Sequence, residues 1–296
     1  MHTIIKLPPL IDHYKRKIFL EDCIAGMKRM PAKSVDMILC DLPYGTTQCK
    51  WDTVIPFDEL WKQYERVIKD DGAIVLTSAQ PFTSMLVASN VKLFRYSWVW
   101  EKSKATGYLN SKKRPLCAHE DVLVFYKKPS IYIPQMTSGA PYDKGKAHRP
   151  TDVYGAQKAV HVKNDKGLRY PRSVQYFKTA ESEGAVDHPT QKPVALFEYL
   201  ISTYTLPGQV VLDNCMGSGT TAIACLNVDR VFVGFENDAE YAQKLEARVR
   251  RLDPSFKITS PPSFMKRVKP VIIKHQHDVV LVAAQARQRM TNATPG

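Results

Sequence analysis

Gln209 to Leu226 reads QVVLDNCMGSGTTAIACL. An apolar run, Val210 to Leu212, stops at an acid, Asp213, and two glycines, Gly217 and Gly219, precede a helix-like segment. The pattern is a strand, a glycine-containing loop and a helix start. Glycine lets a ligand approach the backbone closely, and the start of a helix offers free N–H groups. The same grammar recurs along the chain. KIFLED ends at Asp22, VDMILCD at Asp41, and VFVGFEND passes through Glu236. GAIVLTSAQ follows Asp70-Asp71-Gly72, a turn signal. Short, nearly continuous apolar runs predict strands buried on both faces of a parallel sheet. Between them, FDELWKQYERVIKD, GTTAIACLNV and DAEYAQKLEARVRRL carry apolar residues at helical spacing. The alternation predicts an α/β fold, a doubly wound sheet.

Four strand-like runs end in carboxylates: Asp22, Asp41, Asp213 and Glu236. Any one of them reads as a strand terminator or a helix cap. Four together point to the ligand crevice at the carboxyl ends of an open α/β sheet. The loop lacks the GK[ST] of a phosphate-binding loop and the third glycine of a dinucleotide fingerprint. Asp213 at its mouth would repel a pyrophosphate. The arrangement suits a ligand with a cationic end and a ribose, and S-adenosylmethionine is such a ligand. Glu236 lies about 20 residues after the loop, where a carboxylate holds ribose hydroxyls. Asp22 would accept from the adenine amine.

The stretch Asp41-Leu42-Pro43-Tyr44 ends a buried strand with an acid, a turn and an aromatic ring. An exocyclic base amine is a weak nucleophile, because its lone pair is delocalised into the ring. Two acceptors, the Asp41 carboxylate and the Leu42 carbonyl, would favour a tetrahedral nitrogen and aim its lone pair. Pro43 biases Leu42 towards an extended backbone, and Tyr44 offers a face for stacking. In-line transfer of a methyl group to such an amine relies on positioning and electrostatics, and the base must leave the duplex to be reached.

The chain has 296 residues and a net charge of +13. Residues 103–185 carry 15 basic and 7 acidic side chains, residues 257–296 carry 7 and 1, and the remainder is near neutral. Aromatic residues interleave with the charges of the middle segment, which predicts a nucleic-acid partner. No apolar run is long enough to suggest a membrane span or a signal peptide. The six cysteines form no CxxC pair and read as reduced thiols of a cytoplasmic protein, with no metal site expected.

These motifs resemble the amino-methyltransferases of DNA, over roughly 18–251. DLPY is similar to the family hallmark [DNS]PP[YFW]. LDNCMGSGTT resembles the cofactor loop DPFMGSGTT, HPTQKP (188–193) the segment leading into it, and AHEDVLVFYKK the strand beside the flipped base. The catalytic motif precedes the cofactor loop, the permuted order of the family's β group. The resemblance implies a Rossmann-like methyltransferase sheet, with a catalytic half (1–102), an inserted target-recognition region (103–185), a cofactor-binding half (186–256) and a basic tail (257–296). It implies a catalytic tip of Asp41, Leu42, Pro43 and Tyr44. Asp213, Met216, Gly217, Ser218, Gly219 and Thr220 would hold the methionine part of the donor, with Asp41 bordering it. Glu236 would bind the ribose and Asp22 the adenine, while Thr190, Gln191 and Lys192 would close the methionine end. Aspartate at the first catalytic position favours adenine N6 over cytosine N4, where serine is more frequent. Double-stranded DNA is the implied partner, with a homodimer and a cognate restriction enzyme as further expectations. A non-catalytic DNA-binding module would be expected to lose Asp41 or the glycines. Within the insertion, Lys112, Lys113 and Arg114 would meet phosphates, and Arg169 and Arg172 would read guanine edges. Two departures stand out: Leu42 replaces a proline, and Asn214-Cys215 replaces Pro-Phe.

Overall fold

The apolar runs form strands, and the computed structural model describes them within residues 10–49, 51–147, 160–184, 186 and 191–260. The first part of the chain supplies β1 (Lys17–Leu20), α1 (Cys23–Arg29), β2 (Val35–Asp41), α2 (Phe57–Val67), β3 (Ile68–Ser78), α3 (Phe82–Ser89), β4 (Phe94–Thr106) and β5 (Cys117–Phe125). Short strands β6 (Thr137–Ser138), β7 (Tyr142–Ala147), β8 (Val160–Asn164) and β9 (Leu168–Arg169) follow, then β10 (Val174–Phe177) and α4 (Ala180–Glu183). The last part is α5 (Val194–Tyr204), β11 (Val210–Asp213), α6 (Thr220–Asn227), β12 (Val231–Glu236) and α7 (Ala239–Val249).

Eight strands make one sheet in the order β1-β12-β11-β2-β3-β5-β4-β10. All run parallel except β5, which is antiparallel to β3 and β4. Side chains alternate between two buried layers. Met37, Leu39, Val75 and Val211 pack against Leu196, Ile201, Ile223 and Leu245. Ile38, Cys40, Leu76 and Leu212 pack against Met27, Leu60, Tyr64 and Phe82. Helices thus cover both faces, which is why the strands read as continuous apolar runs. Asp36 interrupts the run of β2, and it is buried because Lys69 pairs with it at 2.6 Å and the Val210 N–H donates to it at 2.9 Å.

Two sequence expectations change. Asp70-Asp71-Gly72 does not end an element but lies inside β3, where the pairing with β2 shifts register. The span 103–185 is not set apart from the sheet: β5 and β10 fall within it and pair with β3 and β4. What leaves the sheet is the β4–β5 tip and the two-stranded pairs β6–β9 and β7–β8. The described end of the tail, at Thr259, bridges to Phe19 of β1; the basic tail from 261 onward lies outside the described residues.

Register places the crevice. Asp213 is level with Gly234 of β12, and Leu212 with Ile38 of β2. Glu236 and Asp41 therefore each stand two residues beyond Asp213, about 7 Å at roughly 3.3 Å per residue. β11 ends in a notch between two taller neighbours. From β11 the chain proceeds through α6 to β12 on one side, and from β2 through α2 to β3 on the other. This is a topological switch point, where open α/β sheets bind ligands.

Candidate active site

At the tip of β2, Asp41 is the centre of a polar cluster. Its Oδ1 accepts from the Tyr44 hydroxyl at 2.8 Å and the Thr77 hydroxyl at 2.5 Å. Its Oδ2 accepts from Lys192 Nζ at 2.8 Å. With roughly two acceptor directions per carboxylate oxygen, these donors leave one direction on Oδ2 for a further donor. Burial and the Asp41 charge push the Tyr44 phenol well above its ordinary value, so it stays a donor. For Lys192, burial works against the charge, but Asp41 and Glu120 outweigh it and its pKa is raised. The Tyr44 ring stacks on Phe82 at 5.1 Å, and Lys192 Nζ sits 5.4 Å from the ring centroid. Leu42 buries its side chain in the core layer under α2 and α3. That anchoring substitutes for the backbone restriction a proline would supply. The next turn is held by Asp52, which accepts from the N–H groups of Gly45, Thr46 and Thr47 at 2.7–2.9 Å.

The notch at β11 is built differently. Asp213 is 2% exposed and accepts from the Cys215 N–H at 2.9 Å and from the Thr221 hydroxyl. Burial dominates, and its pKa is pushed up to about 6. Glu236 accepts from the Gly217 N–H at 2.7 Å and the Asp238 N–H at 2.9 Å, so one carboxylate braces the loop and closes the notch. Burial raises its pKa as well. Gly217 and Gly219 both have positive φ, +48° and +79°. A Cβ on Gly219 would meet Leu245 at 2.9 Å, whereas one on Gly217 would meet only the Cys215 carbonyl oxygen, at 3.9 Å. At Gly217 the loop thus has room beside its bare backbone. Acids, bare backbone and no lysine at the loop fit a cationic, phosphate-free ligand, and S-adenosylmethionine has that chemistry.

A family model described as DNA methylase matches residues 35–247. The chain belongs to the DNA methylase family. It is 28% identical over 275 residues to the DNA adenine methyltransferase YhdJ of Escherichia coli strain K12, covering 83% of this chain and 85% of that protein. Among solved structures, the M1.HpyAVI–SAM complex matches at 25% identity with a TM-score of 0.53, over 78% of this chain and 98% of that one. The PvuII DNA methyltransferase, cytosine-N4-specific, matches in fold with a TM-score of 0.58 at 17% identity, over 81% and 87% of the two chains.

The methylase fold brings together most of the residues expected from sequence, with changes of role. Asp22 caps α1 by accepting from the Ala25 N–H at 2.8 Å, at the end of β1 beside Glu236. Ser218 and Thr220 turn their hydroxyls inward, to each other and to buried Arg248, so the loop presents backbone rather than hydroxyls. Met216 is buried against β12. Lys192 departs from its expected place: its carbonyl accepts from the Thr220 hydroxyl at 3.2 Å, yet its ammonium reaches across to Asp41. Gln191 is described beside it, whereas Thr190 and His188 lie outside the described residues. Asn214, in place of proline, accepts from the Tyr64 hydroxyl at 2.5 Å and points its amide towards the sulfurs of Cys23 and Cys215. The two departures from the family pattern are thus absorbed by core partners.

Beyond β3, the β4–β5 ribbon outruns the sheet. β3 ends where Ser78 pairs with Asp121, but β4 and β5 continue to the Thr106–Cys117 pair. The overhang lies at the same edge as Asp41. Its tip carries exposed Lys112, Lys113 and Arg114, with Tyr108 at 79% and Leu109 at 94% exposure. Arg172 is exposed, but Arg169 is not available as expected: it packs on Tyr142 at 4.7 Å and donates to the carbonyls of Leu168 and Ala140, holding its own hairpin. Sequence reasoning did not single out Thr77, Phe82, Lys102 or Glu120. Glu120 and Phe82 sit in unremarkable strand and helix text, and only the pairing of β5 with β3 and β4 brings Glu120 near Lys192, at 3.4 Å.

Proposed function

We propose that this methylase transfers a methyl group from S-adenosylmethionine to the N6 amine of a flipped-out adenine in duplex DNA. The observation that carries the reading is the Asp41 tip. A carboxylate with one acceptor direction left and an adjacent aromatic ring stands one strand away from, and two residues above, an acid-lined notch. S-adenosylmethionine supplies an electrophilic methyl on a sulfonium. In the proposal, Glu236 holds its ribose, Asp22 its adenine, and Asp213 with Met216, the Gly217–Gly219 backbone and Thr220 its methionine end.

The protein's own part is positioning. Asp41 Oδ2 and the Leu42 carbonyl accept from the two hydrogens of the amine and turn its lone pair towards the donor. The partly buried Asp41 carboxylate also stabilises the positive charge that develops on the nitrogen, an effect stronger in a water-poor site than in solution. Tyr44 and Thr77 fix the carboxylate plane, so no reorganisation is needed at the moment of transfer. The target base must be turned out of the duplex to reach this tip. The homodimer, the cognate restriction enzyme and the cytoplasmic setting belong to this reading too, and rest on the family resemblance alone. Among the described residues, no helix is long and apolar enough to cross a membrane.

The identity of the base is tested by digesting methylated DNA to nucleosides and separating them by mass spectrometry. N6-methyladenine is expected. N4-methylcytosine alone would overturn the choice of base, because the same two acceptors serve a cytosine amine. Modification-aware sequencing of the same DNA gives the recognition site.

A further inference from the structure

Lys192 stands where the target base is needed. Its ammonium is on Asp41 Oδ2 at 2.8 Å and lies over the Tyr44 ring at 5.4 Å. These are the acceptor and the stacking face that the proposed function assigns to the base. Phe82 stacks on Tyr44 at 5.1 Å, so the ring has one face taken by the core and its surroundings shared with Lys192. A second acceptor lies within reach. Glu120 Oε2 is buried, no described residue donates a hydrogen bond to it, and Lys192 Nζ is 3.4 Å away in an ion contact that lacks hydrogen-bond geometry. Its other oxygen is held by buried Lys102 at 3.3 Å, which fixes the carboxylate in place. A buried carboxylate oxygen held only by a 3.4 Å ion contact has room for a closer approach of that ammonium.

The backbone of Lys192 is pinned, and its side chain ends between the two carboxylates. Its carbonyl accepts from the Thr220 hydroxyl, and Pro193 follows at the start of α5. Lysine carries its charge on a flexible four-carbon stem, so rotation of the stem alone carries the ammonium from one carboxylate to the other. Both seats are anionic, so the lysine keeps a counterion in each and the exchange is nearly balanced in charge.

We propose that Lys192 is a two-seat latch, resting on Asp41 until the target base enters and then moving to Glu120. Glu120 is the positioning residue that receives it. The move frees Asp41 Oδ2 and the Tyr44 face together. It also withdraws a positive charge from Asp41 before the base amine acquires one. The inference rests on the proposed role of Asp41, and the test separates the two.

The measurement is single-turnover methylation of a duplex carrying the sequenced site, together with donor affinity by calorimetry. Glu120→Gln removes the anionic seat and should slow transfer about 10- to 100-fold, the range of a misplaced reacting group, with donor affinity changed less than about threefold. Glu120→Asp, which keeps the charge, should recover most of the rate. In a Lys192→Met background there is no ammonium to receive, so Glu120→Gln should have no further effect. An equal loss from Glu120→Gln in both backgrounds would make Glu120 merely structural and overturn the latch. A wild-type rate in Glu120→Gln would overturn it as well. If Asp41→Ala is inactive while Glu120→Gln is normal, only the latch fails; if Asp41→Ala is active, the reading of the site fails.

Discussion

The proposed base pocket and the proposed donor notch sit on adjacent strands and are each centred on an aspartate, yet they are finished in opposite ways. Asp41 is met by an ammonium and two hydroxyls from the protein itself. Asp213 is met by one hydroxyl and one backbone N–H, and no described cation pairs with it. Burial without a counter-charge pushes Asp213 to about 6. The difference teaches that a site for a neutral amine carries its own cation as a stand-in. A site for a cationic donor leaves its carboxylate uncompensated until the donor arrives.

The comparison breaks most sharply at Asp41. Asp41→Ala should lower kcat by at least about 10³-fold, the scale of losing a directed charge interaction in an enclosed site, while calorimetry shows donor affinity within a few-fold of the parent. Lys192 would still have Glu120 as counterion, so the variant is expected to fold. On the other side, Glu236→Gln should weaken donor binding by about 10- to 30-fold, the worth of one charge-assisted hydrogen bond, with kcat at saturating donor little changed. If Glu236→Gln instead lowered kcat and left donor affinity intact, the division into two sites would be wrong.

Protonation sharpens the contrast. A cationic donor needs Asp213 ionised, so its Kd should rise about tenfold per pH unit below about 6 and be flat above it. Asp213→Asn should remove that pH dependence. For the free protein the sign is reversed. Its folded-state pKa lies above the ordinary carboxylate value, so the stabilising preference for the protonated form is complete below pH ~4 and is lost as pH rises through about 6. Asp213→Asn should therefore raise stability near pH 7, by at most roughly 2–3 kcal/mol, and the gain should vanish on acidification. Thermal melts across pH measure it. The smallest effect lies outside both pockets. Replacing Lys112, Lys113 and Arg114 together by alanine should flatten the salt dependence of DNA affinity, by roughly one unit of slope for each phosphate no longer neutralised, and leave kcat unchanged.

Much of the site was legible because it is local. A strand that ends in an acid, followed by glycines or by Pro-Tyr, needs only the chain's own neighbours to be read. Asp41, Asp213, Glu236 and the Gly217–Gly219 loop are of this kind. Ser218 and Thr220 were legible as residues but not as roles, because the partner of their hydroxyls is Arg248, 30 and 28 positions away. Arg169 misled for the same reason: its guanidinium is engaged by a hairpin whose partner strand, β6, lies about 30 residues earlier. Glu120 lies within the quoted AHEDVLVFYKK but was not singled out, since an acid in the first residues of a strand is ordinary text.

The sequence by itself determined the alternation of strands and helices, the acids at the strand ends, the glycine loop and the basic character of the middle region. These follow from periodicity, backbone freedom and charge, which act over a few residues. Only the tertiary structure decided the two-residue step between Asp213 and its neighbours, the overhang of the β4–β5 ribbon, and the meeting of Lys192 with Asp41 and Glu120. Those depend on strand order and register, which bring together groups 72 to 151 positions apart in sequence. A buried ammonium between two carboxylates is set by that packing and leaves no local trace in the chain.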